Sequence, residues 1–226
     1  MKKNKYKEII DKNGSGFNLK VSDHLKSLGW ETSPAKYYTD PTTGKAREID
    51  IVATKKFPIV GSGKALAVRL FVECKKVPQE NVVWFIDKDE KKIRNLIYSN
   101  RVMRIAEDKN PYNISQHHYL NGQKVAILTG RDGHNDMFYD GWNNCLHSMI
   151  SFENQGYEEY RLDYPVMVLD SFEKIHTPIE DDQNPSAEIK DSFQFGVDYS
   201  YNDEKRKIEK YFLVDVVSFE SLKPLL

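Results

Sequence analysis

The sequence predicts an α/β fold, a mixed β-sheet flanked by helices. Three observations carry that expectation. Apolar residues recur at helical spacing over 17–28, alternate over 48–53 and 68–75, and form short apolar runs at 124–129 and 164–170. Helical and strand-like stretches thus interleave, as they do where helices cover a sheet. At 226 residues, with 39% hydrophobic and 30% charged side chains, residues 1–226 can bury one core and are read as a single soluble domain. No run is long enough to span a bilayer. Basic Met1 to Lys7 lacks an apolar stretch behind it, so no secretion signal is expected. Two cysteines, Cys74 and Cys145, make no disulfide scaffold, and both are expected reduced, in the cytoplasm.

The elements follow in order. Phe17, Val21, Leu25 and Leu28 form one stripe of a helix that Gly29 ends, before a strand at Trp30. Asp40 to Lys45 reads as a turn through Gly44. In the strand from Glu48, side chains two apart share a face. Ile49, Ile51 and Ala53 are therefore expected on one face, with Glu48, Asp50 and Val52 on the other. In the next strand Val68, Leu70, Val72 and Cys74 oppose Arg69, Phe71, Glu73 and Lys75. Pro78 suits the first turn of a helix continuing through the charged stretch after Asp87. Lys124–Thr129 reads as a buried strand, Gly130–Gly133 as a loop, His134–Tyr160 as a helix with a break near Gly141, and Tyr164–Asp170 as a strand. Residues 177–191, with Pro178, Pro185 and the acids Glu180, Asp181 and Asp182, read as an exposed acidic loop. Phe193–Tyr201 and Tyr211–Phe219 read as a C-terminal β-hairpin turning over Asn202–Lys207, whose pairing offers a route to a homodimer.

Two strings carry the chemistry: Arg47-Glu48-Ile49-Asp50 and Phe71-Val72-Glu73-Cys74-Lys75-Lys76. A charge within a buried strand is costly unless paired or metal-bound. If the two strands pair, Asp50, Glu73 and Lys75 converge. Two carboxylates and the backbone carbonyl of Cys74 suit a hard cation such as magnesium, which takes oxygen ligands and keeps several waters. Such a metal stabilises phosphodiester charge and helps make hydroxide. Lys75 can orient the water or stabilise charge at phosphorus.

This pattern resembles the PD-(D/E)xK nuclease superfamily, in its restriction-endonuclease-like, Mrr-like branch. The match is Asp50, a spacer, then Glu73-Cys74-Lys75, with Ile49 where the motif has proline. Many members carry a glutamate on the preceding helix; here that position is Asn18, and Glu48 stands beside Asp50. The resemblance covers residues 14–130 best. It implies a restriction-endonuclease-like sheet, a Mg2+-dependent (or Mn2+-dependent) deoxyribonuclease, and a role in DNA restriction, repair or defence. Asp50, Glu73 and Lys75 would be catalytic, with Glu48, Asn18 and Gln79 supporting. DNA is the expected partner, RNA an alternative, and a homodimer or a partner protein of a defence or repair system is compatible. The alternative function is a nuclease-fold DNA-binding or assembly module without cleavage activity.

Charge is uneven behind a net of −1. Residues 1–100 hold 20 Lys and Arg against 12 Asp and Glu, and the remainder 13 against 22. The basic half carries the candidate site, where a phosphate polyanion would be drawn. Lys76, Lys91, Lys92 and Arg94 are candidate backbone contacts, and Tyr37 a candidate stacking surface for a base. His117 and His118 are adjacent, point apart, and are expected at the surface.

Overall fold

The computed structural model describes residues 14–59, 61, 63–100, 117–131, 136–153, 160–179, 186–189, 191–203 and 206–222. Helix α1 (Ser15–Ser27) leads into strands β1 (Glu31–Thr39), β2 (Ala46–Ile59), β3 (Lys64–Lys75) and β4 (Asn81–Asp87). Helix α2 (Glu90–Ser99), a 3₁₀ turn (His118–Leu120), β5 (Lys124–Arg131) and α3 (Met137–Ser151) follow. The chain then adds β6 (Arg161–Leu169), β7 (Ile175–Pro178), β8 (Ser186–Glu188), β9 (Ser192–Asp203) and β10 (Arg206–Ser218).

The fold is α/β, and the ten strands among the described residues join one mixed sheet in the order β1-β2-β3-β6-β10-β9-β5-β4-β7-β8. The first three strands form an antiparallel meander. β3 then pairs in parallel with β6, and β6 in parallel with β10. A parallel pair needs a crossover, and between β3 and β6 the chain makes β4, α2, β5 and α3.

Each face of the sheet has its own core. On one, Phe17, Val21 and Leu25 of α1 and Ile93 and Ile97 of α2 pack with Ile51, Val72, Val166 and Leu213. On the other, Phe138, Cys145 and Leu146 of α3 pack with Ile49, Phe71, Met167 and Val214. Each such apolar side chain stabilises by roughly 1.5–3 kcal/mol when fully buried. The alternation expected in β3 is the one found, with Val68, Leu70, Val72 and Cys74 on the α1 side and Phe71 on the α3 side. No helix among the described residues is long and apolar enough to cross a membrane.

Several expectations are corrected. Ile49 does not share a face with Ile51 and Ala53: it packs on the α3 side and they on the α1 side. The switch falls at Asp50, whose cross-strand position would be Ala35, missing from the ladder and held at φ 54°. Pro78 starts no helix. Asn81–Asp87 is strand β4, with α2 beginning only at Glu90 behind an Asp89 cap. β5 is only half buried: a register shift against β4 leaves Ile127 and Leu128 exposed. α3 runs through Gly141 without a break. Gly130 belongs to β5 rather than a loop.

The 177–191 segment is not one loop. Thr177 and Pro178 end β7, which pairs antiparallel with β8 at the sheet's edge; Glu180, Asp181, Asp182 and Pro185 lie outside the described residues. The C-terminal hairpin exists, with β9 and β10 antiparallel, but its pairing runs on through Asn202–Lys207 to Asp203–Arg206. β9 and β10 stand inside the strand order, whose ends are β1 and β8, so that hairpin is no terminal edge for a second copy. Of the positive charges expected along the helix after Asp87, Arg101 and Arg104 lie outside the described residues, as does His134.

Candidate active site

α1, β2, β3 and α3 build the site. The β2–β3 ladder stops at Ile51 and Val72. One residue beyond, the Asp50 side chain takes over as acceptor: the Cys74 backbone N–H donates to its Oδ2 at 2.8 Å. The Asn18 amide donates to its Oδ1 at 2.7 Å. Asn18 can reach because Phe17 and Val21 anchor α1 in the core. One turn on, Ser22 meets Thr32 of β1 at 2.8 Å and fixes the same side of the helix.

Glu73 and Lys75 share the α3-facing side of β3. Glu73 is 4% exposed. Its Oε1 accepts from Lys75 Nζ at 3.0 Å and from Asn144 Nδ2 at 3.0 Å. Its Oε2 is buried and has no hydrogen-bond partner among the described residues. α3 comes close because of Gly141. A Cβ there would sit 2.4 Å from the Met167 methyl and 3.4 Å from Lys75 Cε.

The electrostatics follow from this geometry. Burial, then the neighbouring Asp50 charge, push the Glu73 carboxyl up to about 7, against the pull of Lys75 and Asn144. Burial likewise raises Asp50, opposed by the Cys74 N–H, Lys75 and Asn18, with Glu48 adding to the rise. Lys75 is raised: burial works against its charge, and Glu73 and Asp50 outweigh it. Burial also lifts the Cys74 and Cys145 thiols, so neither is a ready nucleophile.

Asp50, Glu73, Lys75 and Asn18 are thus brought together. The others are less engaged. Glu48 is exposed and accepts from the Tyr37 hydroxyl, which raises that phenol; Tyr37 itself is 69% exposed on strand β1. No hydrogen bond among the described residues ties Gln79 to the carboxylates; its carbonyl accepts from Asn81. Lys76 and Lys91 are exposed. Lys92 pairs with Asp198 and Arg94 with Glu90, on a helix that packs against β10, two strands from β3.

Sequence reading missed Asn144, 71 residues beyond Glu73 on a helix without a motif. It also missed the polar group beside the site. Buried Asp40 accepts from Thr42, Thr43 and, at 2.5 Å, Arg47 Nε, and faces His147 Nδ1 at 3.4 Å. His147 in turn contacts the Tyr199 hydroxyl. The Tyr38 hydroxyl is buried without a partner among the described residues, and burial followed by the Glu73 charge raises it. His117 is not at the surface: burial and His118 push it down to about 4, and the two rings stack 4.9 Å apart.

A cavity of about 560 Å³ lies elsewhere, lined in part by Lys88, Ile93, Arg94 and Leu120. Its cations are engaged, Lys88 by the Tyr119 and Asn121 carbonyls and Gln194, and Arg94 by Glu90.

Among the described residues no three His, Cys, Asp or Glu side chains cluster as a ready metal cage. The donor set fits a divalent cation in another way: two adjacent carboxylates, one with a buried and unsatisfied oxygen. A cation that keeps most of its waters needs no more than one or two carboxylates. No known family, curated protein or solved structure matches the chain.

Proposed function

We propose that this chain is a metal-dependent deoxyribonuclease of the restriction-endonuclease-like PD-(D/E)xK kind, hydrolysing phosphodiester bonds in DNA restriction, repair or defence. The observation that carries the reading is Glu73. It is a strand carboxylate, 4% exposed, with one oxygen unsatisfied, set beside Asp50 and Lys75. Burying such a group without a partner for each oxygen is unfavourable, and a cation ligand removes the penalty. Asp50, Glu73 and the Cys74 carbonyl would hold Mg2+, or Mn2+. When bound, it would neutralise phosphate charge and lower the pKa of a water. Lys75, its ammonium 3.0 Å from Glu73, holds a positive charge at the same point, able to orient the attacking water or stabilise charge at phosphorus. The basic first hundred residues draw the polyanion. The helix–meander–crossover order, α1-β1-β2-β3 with α3 leading back to β6 beside β3, is consistent with this reading.

A second reading, a binding or assembly module without cleavage, has one observation in its favour. Asn18 stands where a glutamate is expected, and its amide already occupies Asp50 Oδ1. The two are separated by incubating wild type and Lys75→Ala with supercoiled, linear, branched and single-stranded DNA and with RNA, in Mg2+ or Mn2+. Cleavage lost in the variant and in chelator is the expected result. Intact folding with salt-sensitive binding and no cleavage of any substrate would favour the module.

A further inference from the structure

We propose that Asn144 is a positioning residue of this site, fixing the Glu73 carboxylate so that Oε2 is the oxygen offered to a divalent cation. The inference rests on the nuclease reading. A glutamate side chain carries several rotatable bonds, and the lysine two residues on is equally mobile. Lys75 by itself therefore leaves the carboxylate plane free to turn. The Asn144 amide supplies a second donor to the same oxygen, from the opposite wall. Two donors on Oε1 saturate it and leave Oε2 as the acceptor without a partner among the described residues.

The neutral amide matters. An aspartate at 144 would add a third negative charge beside Asp50 and Glu73, and a lysine would compete with a cation. The arrangement also repeats. Asn18, from the helix on one face of the sheet, holds Asp50; Asn144, from the helix on the other face, holds Glu73. Gly141 sits one turn before Asn144, where any side chain would meet Met167 and the Lys75 stem. That close approach brings the amide within reach.

Outer contacts that orient metal-binding carboxylates are commonly worth about 10–100-fold in metal affinity or activity. The test is Mn2+ titration followed by electron paramagnetic resonance, on wild type, Asn144→Ala, Asn144→Ser and Asp50→Ala, with DNA cleavage measured alongside. Serine keeps a polar group on the helix but is too short to reach Oε1. Both Asn144 variants are expected to bind Mn2+ about 10–100-fold more weakly. At saturating Mn2+ they should show a lower kcat with KM for DNA unchanged. Wild-type Mn2+ binding that Asp50→Ala abolishes, with both Asn144 variants folded and equal to wild type, overturns the role of Asn144 and leaves the nuclease reading standing. Absence of Mn2+ binding by wild type overturns the reading and the inference with it.

Discussion

Strand β3 carries two buried ionic groups that differ in one respect. Four residues before Glu73, Arg69 donates to both oxygens of Asp163 at 2.8 Å and to the Phe152 carbonyl at 3.1 Å. Arg161 adds a further bond to Asp163 at 3.1 Å. Both Asp163 oxygens are therefore occupied. Glu73 has comparable neighbours, but one oxygen is left over. A closed ion pair accounts for itself as architecture, whereas an open one asks for a ligand. The contrast separates a charge that joins β3 to β6 from the charge on which the proposed function rests, within one strand.

The contrast can be broken by removing each carboxylate in turn. Asp163→Ala leaves the Arg69 guanidinium buried without its partner and should cost about 3–5 kcal/mol. Urea unfolding measures it, and a loss below about 1 kcal/mol would remove the distinction. Glu73→Gln should behave differently. The folded-state pKa of Glu73, about 7, lies above its unfolded value near 4.5, so the folded form binds the extra proton. That contribution is complete below the unfolded pKa and is lost as pH rises through about 7. Wild-type stability should therefore fall between roughly pH 4.5 and 7 and level off above. Glu73→Gln should flatten much of that slope, Asp50 retaining part because its shift has the same direction. Urea midpoints at successive pH values decide it, an unchanged slope counting against the assignment. The smallest effect belongs to Lys92→Ala, which breaks the exposed pair with Asp198 and should cost less than about 1 kcal/mol.

Those contrasts also mark what could be read from residues alone. Glu73 and Lys75 were legible because strand alternation is strict and a charge on a buried face breaks it. Asp50 was legible as a residue but its setting was not. The chain changes face there, opposite Ala35 of β1, whose positive φ no glycine announces. Pro78 pointed to a helix, whereas Val82, Val83, Trp84, Phe85 and Ile86 have the β-branched and aromatic character of a strand, and that preference prevailed. The interior place of β9 and β10 depends on pairings with β5 and β6, far apart in sequence, that no local pattern encodes. Asn144 was invisible for the same reason: only the packing of α3 on β3 brings it to Glu73.

The pairing of β3 with β6, Val68 opposite Leu162 and Cys74 opposite Val168, has a consequence for synthesis of the chain. The basic meander that bears Asp50 and Glu73 leaves the ribosome first, while the strand that completes it is still untranslated. Until then one long side of β3 exposes unpaired backbone and Val68, Leu70 and Val72 lack part of their cover. Contacts of such sequence separation form slowly. A nascent chain of this protein would hold its acidic pair on an unfinished edge, so the cleavage proposed for this site would begin only once β6 has docked on β3.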